Sequence, residues 1–139
     1  MKEILRNTLA AMAGALTGIV LIALCQLASA KIYPLPEGLD PANREAMGEF
    51  VRTLPAPAMF IVLLGYLIGV SGGAWVAGRL SHTAPRRQIF MVTGLFLIAS
   101  VMNLTSFPHP AWFWVANLGA VVMGGWLALQ WQPRRDAAN

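Results

Sequence analysis

The chain has 139 residues, of which 57% are hydrophobic and 12% charged, and its mean hydropathy is +0.60. This composition leaves no room for a soluble domain beside a membrane bundle, so we expect a single domain over residues 1–139. The net charge is +4, but the scattered arginines lack the dense basic patch typical of nucleic-acid binding, and a single cysteine excludes an internal disulfide.

Four long apolar stretches contain no Asp, Glu, Lys, Arg or His. They cover 8–30, 56–78, 88–107 and 111–131. Each is close to the ~20 apolar residues that a helix needs to cross the hydrocarbon core. The sequence therefore predicts an all-α membrane protein, a bundle of four transmembrane helices with one longer loop over 31–55.

The first stretch imitates a secretory signal. Lys2 and Arg6 precede it, and the small residues Ala28-Ser29-Ala30 at its end resemble a cleavage site. Its apolar run is longer than the hydrophobic region of such signals, so we expect an uncleaved span.

The loop over 31–55 contains a predicted short helix. Asp40 is placed as its N-cap and Pro41 as its first helical residue. The apolar side chains of Met47, Phe50, Val51 and Leu54 then recur at helical spacing, with Arg44, Glu45, Glu49 and Arg52 at the other positions. An amphipathic helix lying flat on the outer surface follows, either as a cover for helix ends or as a gate over a pocket.

Glycines mark where the first two spans allow close contact. Gly14 and Gly18 lie four residues apart on the first span, and Gly65, Gly69 and Gly73 repeat that spacing on the second. Small residues at this spacing let helix backbones approach each other. We expect the two faces to pack together within the chain or to form an oligomer seam.

Polar residues of the spans fall in the outer half of the bilayer. Gln26, Asn103 and Asn117 carry amides that are costly in hydrocarbon, so they should face the bundle interior. His109 lies in the loop above them, with Glu37 or Asp40 as further candidates at the rim. The group reads either as interhelical hydrogen bonding or as an outward-facing polar pocket for a lipid headgroup or small polar solute.

Tyr66 is the aromatic residue placed nearest the midplane. The other tyrosine and the tryptophans fall near the two interfaces, as is typical of membrane helices. The Tyr66 hydroxyl needs a partner at that depth, which we expect to be a backbone carbonyl or a polar group on a neighbouring helix.

Basic residues orient the bundle, because Lys and Arg near span ends are retained in the cytoplasm. Seven lie at the proposed inner ends (Lys2, Arg6, Arg79, Arg86, Arg87, Arg134 and Arg135) and three at the outer ends (Lys31, Arg44 and Arg52). Both termini are therefore predicted to be cytoplasmic, with the basic rim contacting anionic membrane lipids.

Several function classes lack their required residues. Ion-coupled transporters, including the small multidrug exporters with their membrane-embedded glutamate, need an ionisable residue within the spans, where this chain offers only Gln26. Intramembrane proteases need a Ser and His pair or two aspartates there. His82 and His109 are predicted on opposite membrane faces, so we expect no metal and no cofactor.

Three segments together resemble a family of small, uncharacterised bacterial four-span membrane proteins. They are residues 33–41 (YPLPEGLDP), residues 69–77 (GVSGGAWVA), and Asn103 together with residues 108–113 (PHPAWF). The resemblance implies a four-helix fold in the bacterial inner membrane, and it transfers no activity or substrate.

We therefore expect a non-enzymatic accessory or binding protein whose outer polar pocket contacts lipid or a partner membrane protein. The alternative is a facilitative carrier acting as a homo-oligomer through its second-span glycines, which needs a polar path past Tyr66 and Ser71. A third hypothesis is an enzyme with His109 as general base, oriented by Glu37 or Asp40.

Overall fold

The computed structural model describes residues 1–132, which form five α-helices. These are α1 (Lys2–Ile32), α2 (Arg44–Thr53), α3 (Ala56–Leu80), α4 (Pro85–Ser106) and α5 (Ala111–Trp131). All of them except α2 are long and apolar enough to cross a bilayer. The predicted four-helix membrane bundle is confirmed, and the protein is a multi-pass membrane protein. The basic residues Arg134 and Arg135 lie outside the described residues.

Three helices extend beyond their predicted spans, α3 by only two residues and α1 and α4 by more. α1 has 31 residues, a length of about 46 Å at 1.5 Å per residue, which exceeds the hydrocarbon thickness of about 30 Å. α4 begins with Pro85 at its first position, where the fixed φ of proline suits a helix start. Its first turn therefore carries Arg86 and Arg87 at the membrane boundary.

α3 is the central helix of the bundle, in contact with α1, α4 and α5. α1 buries only Ala10, Gly14 and Gly18. The large apolar side chains on its other faces, such as Leu16 and Leu24, are exposed. Exposing so many apolar side chains on one surface is unfavourable in water, whereas they pack well against lipid acyl chains.

The glycine faces of α1 and α3 pack together within the chain. A Cβ atom added to Gly73 would lie 2.5 Å from the carbonyl oxygen of Gly14, and one added to Gly69 would lie 2.8 Å from that of Gly18. One added to Gly65 would lie 2.9 Å from the Cβ of Cys25. Because α1 covers this face, it is not available as the oligomer seam of the carrier hypothesis.

The bundle has two distinct ends. At the end called here the loop end, α2 lies beside the α4–α5 loop, where a Cβ on Gly48 would be 3.2 Å from Cδ of Pro108. At the opposite, terminal end, Asn7 ties α1 to the α3–α4 loop. Its Nδ2 donates to Oγ1 of Thr83 at 2.8 Å and its Oδ1 accepts from Oγ of Ser81 at 2.9 Å.

The predicted amphipathic helix exists, but its predicted start was wrong. Asn43 is the N-cap of α2, and its Oδ1 accepts from the backbone N–H groups of Glu45 and Ala46 at 3.1 and 3.2 Å. Asp40 instead accepts from the N–H of Ala42 at 2.9 Å, closing a separate turn. The cap moves because a second side chain suited to capping follows three residues later. The predicted apolar residues are half-buried, and the charged ones are exposed.

Replacing Asn43 by alanine is expected to fray the start of α2. The substitution leaves two backbone N–H groups without their acceptor, a loss of about 1 kcal/mol for a typical N-cap. Amide hydrogen exchange at Glu45 and Ala46 should accelerate by about fivefold. Asn43→Asp, which keeps the acceptor, is the control. Equal exchange rates in both variants would contradict the assignment of the cap.

Candidate functional site

The polar residues predicted to form one pocket lie in two separate places. Asn103 and Asn117 are in the helix core, whereas His109 is in the α4–α5 loop. Between them lies an apolar cluster whose members come from α3, α4 and α5: Met59, Leu63, Leu104 and Phe113. The groove that His109 lines includes neither amide, so the structure does not bring the three predicted residues into one pocket.

The core residues form a hydrogen-bonded polar cluster. Nδ2 of Asn103 donates to the hydroxyl of Tyr66 at 3.4 Å, as expected for a partner on a neighbouring helix. Ser100 lies beside the same hydroxyl and donates its own Oγ hydrogen to Oδ1 of Asn117. The cluster thus joins α3, α4 and α5, in the way that polar side chains link membrane helices.

On α3 and α5 the cluster lies about one helical turn from the apolar residues, whereas on α4 Asn103 is next to Leu104 and Ser100 is one turn away. Tyr66 follows Leu63 by three residues, and Asn117 follows Phe113 by four. Ser100 and Asn117 are both fully buried. No partner for Nδ2 of Asn117 occurs among the described residues. Because the cluster is buried and joins three helices, it fixes how these helices pack.

The other predicted site residues do not join either place. Gln26 lies on an exposed face of α1 rather than in the bundle interior. Glu37 and Asp40 are exposed in the first loop, and neither forms a hydrogen bond or ion pair with His109 among residues 1–132. The interior orientation of Gln26 was a wrong prediction, because α1 contacts its neighbours through small residues and presents larger side chains to the outside.

A groove of about 420 Å³ lies at the loop end, where α2, the start of α3 and the α4–α5 loop meet. Arg52 comes from the last turn of α2, His109 from the loop and Trp112 from the first turn of α5. The remaining lining is small or apolar: Leu54, Ala56, Met59, Pro108 and Pro110. The groove thus combines one permanent cation, an imidazole and an indole at the loop end of the bundle.

His109 is held in one orientation. Its Nδ1 lies 2.9 Å from the backbone oxygen of Phe107. A carbonyl oxygen only accepts, so Nδ1 must carry the proton. The imidazole also stacks on Phe113, with the ring centroids 4.9 Å apart and the planes at 11°. These two contacts leave Nε2 as the ring nitrogen that can contact a ligand.

Sequence reasoning missed Arg52 as a candidate site residue, because its position on the polar side of α2 suggested solvent alone. Arg52 lines the groove because α2 ends beside the α4–α5 loop. The sequence feature that could have indicated this contact is Gly48. A residue without a side chain on a short amphipathic helix allows a neighbour such as Pro108 to approach closely.

His82 was predicted on the membrane face opposite His109, and it lies exposed in the α3–α4 loop at the terminal end, where the guanidinium of Arg6 donates to its Nε2. Within residues 1–132, no three or more His, Cys, Asp or Glu side chains are placed to hold a metal ion together.

The loop-end groove is therefore the candidate functional site, with Arg52 and His109 as its polar residues. The chain matches no family model, no curated protein and no solved structure with which it was compared.

Proposed function

We propose that this protein is a non-enzymatic accessory or binding protein whose loop-end groove contacts an anionic lipid headgroup. The observation that supports it is the meeting of Arg52 and His109 in one groove at the membrane boundary. A guanidinium presents a planar set of donors that matches a phosphate, and the unprotonated Nε2 of His109 adds an acceptor for a headgroup hydroxyl. Trp112 is 43% exposed there, at a depth that indole rings favour.

A segment of a partner membrane protein is the other possible occupant of the groove. Its acidic group would use the same donors. The headgroup is favoured because Trp112 also contacts Phe60, with the ring centroids 5.7 Å apart, and both side chains are exposed on the apolar surface of the bundle.

The facilitative carrier has less support. Its proposed path runs past Ser71, whose hydroxyl donates to the backbone oxygen of Leu67 at 2.6 Å. Below the Tyr66 cluster, the core is apolar, with Val70, Ala74 and Val121 fully buried. Its oligomer seam is covered by α1.

The proposal includes the location and orientation predicted from the sequence. We place the protein in the bacterial inner membrane, with both termini in the cytoplasm and the loop end facing outward. The basic residues of α1, α3 and α4 at the terminal end support this orientation. Membership of the uncharacterised four-span family stays a prediction.

Replacing Arg52 by glutamine is expected to weaken headgroup binding at the groove. The probe is dihexanoyl phosphatidylglycerol, titrated into the detergent-solubilised protein and followed by tryptophan fluorescence, since Trp112 lines the groove. Loss of a charge-assisted hydrogen bond should raise the Kd about tenfold. His109→Ala should raise it as well.

Arg44→Gln is the matched control, because Arg44 is an exposed arginine at the other end of the same helix. It should leave the Kd within about twofold, as expected for a distant, solvent-screened charge. If the Arg52 and Arg44 variants bind the lipid equally well, the groove is not the headgroup site.

A further inference from the structure

A second groove opens at the terminal end of the bundle, between α1 and α4. Its volume is about 590 Å³, within the range of about 300–1,000 Å³ that is usual for small-molecule sites. One wall runs from Ile4 to Ala15 and the other from Arg87 to Leu95. The two helices meet at the deep end of the groove, where a Cβ on Gly18 would lie 2.5 Å from the ring of Phe96.

The deep part of this groove is apolar. The α4 wall spans eight residue steps and the α1 wall eleven, which is about 12 and 16 Å along a helix. Met12 and Ala15 line it on α1, and Met91 and Leu95 line it on α4. A slot of this length, lined by flexible methionines and closed in the middle of the membrane, fits part of one acyl chain.

The mouth of the groove is polar and has unused hydrogen-bonding groups. Arg87 is exposed and forms no ion pair among residues 1–132. Gln88 is only 4% exposed, and its Oε1 has no hydrogen-bond partner there. A buried polar atom without a partner costs free energy, so a ligand that supplies a donor gains that amount on binding. Asn7 and Thr8 are already engaged within the protein.

The charge of this end favours an anion. The described basic side chains at the terminal end are Lys2, Arg6, Arg79, Arg86 and Arg87, against one acidic residue, Glu3. Such a basic rim attracts anionic lipids at about 1 kcal/mol per residue near the membrane surface. Arg87 is the arginine of this group that lines the groove.

We infer that the groove between α1 and α4 binds one anionic phospholipid from the leaflet at the terminal end. One acyl chain lies between Met12 and Met91, and the phosphate pairs with the guanidinium of Arg87. A headgroup hydroxyl donates to Oε1 of Gln88. The site lies in the leaflet opposite the loop-end groove, and it stands on its own contacts whether or not that groove binds a headgroup.

Native mass spectrometry of the purified protein tests this site. Dioleoyl phosphatidylglycerol is titrated against dioleoyl phosphatidylcholine, and the single-lipid adduct gives a Kd for each. Phosphatidylglycerol should bind more tightly. Arg87→Gln should raise its Kd about fivefold, the equivalent of about 1 kcal/mol for the loss of the direct phosphate pair, and should weaken phosphatidylcholine binding less, because the choline cation offsets the charge of its phosphate. Ala15→Phe, which fills the groove, should remove the specific adduct of both lipids.

Two matched variants separate the groove from the basic surface in general. Arg86→Gln removes the neighbouring exposed arginine, which does not line the groove, and Ala99→Phe adds the same bulk to an exposed position elsewhere on α4. Both should bind phosphatidylglycerol within about twofold of the original protein, because a solvent-exposed charge outside the groove is screened. Equal losses in the Arg86 and Arg87 variants, or equal Kd values for the two lipids, would overturn the site. The two arginine variants decide this even if Ala15→Phe fails to fold.

Discussion

Replacing Gly73 by alanine is expected to be among the most damaging single substitutions in this protein. The new methyl group would lie 2.5 Å from the carbonyl oxygen of Gly14 and 3.0 Å from Cα of Gly18. Both neighbours are backbone atoms of α1, so no change of rotamer relieves the clash. Overpacking in a tight core costs about 1–3 kcal/mol, and here the strain has to be relieved by moving a whole helix. Unfolding in detergent, followed by circular dichroism as SDS is titrated, should show a loss at the upper end of that range.

Two other glycines within membrane helices provide the controls. A Cβ on Gly94 or on Gly119 would meet nothing within 4 Å. Gly94→Ala and Gly119→Ala should therefore leave stability unchanged or raise it by up to about 1 kcal/mol, because alanine has the higher helix propensity. If Gly73→Ala proves as stable as these two, the close contact of α1 and α3 does not exist in the membrane.

Removing the amide of Asn117 is the second substitution with a large expected effect. Asn117→Ala leaves the hydroxyl of Ser100 without its acceptor and opens a void at a fully buried position. An unsatisfied buried group costs about 1–3 kcal/mol, and the void adds to that cost. We expect a loss of about 2 kcal/mol in the same SDS titration.

A double-mutant cycle with Ser100→Ala isolates the hydrogen bond from the void. Interhelical hydrogen bonds in membranes couple by about 0.6 kcal/mol on average and 1.7 at most, so the double variant should be less unstable than the sum of the single variants by about that amount. Gln26→Ala removes an exposed amide from α1 and should have almost no effect. Additive losses for Ser100 and Asn117 would show that the two side chains do not interact.

Much of the fold was predictable because the bilayer imposes strong rules on sequence. The lack of charge over 56–78 and 111–131 predicted helices that end within two residues of the observed α3 and α5. The glycine spacing predicted close packing, since only backbone contact explains three glycines in register. What the glycines face could not be read from spacing alone, because a neighbouring helix and a second copy of the chain would use the same surface.

The candidate site was less predictable, because its geometry depends on side chains distant in sequence. Asn103, Asn117 and His109 were correctly placed near one end of the bundle. Nothing in their spacing indicated that Phe113 would fill the space between the amides and the imidazole. Arg52 was missed for the related reason that a charged residue on an amphipathic helix usually faces water.

The contact between α1 and α3 also determines how the chain must assemble. α1 leaves the ribosome well before α3, so Gly14 and Gly18 first meet lipid tails, and their final neighbours arrive only after the loop and α2 have been made. The early helix survives this interval because its backbone hydrogen bonds are all internal. A nascent chain halted after α2 would therefore hold a stable but unpaired first helix, with Gly14 and Gly18 facing lipid in place of α3.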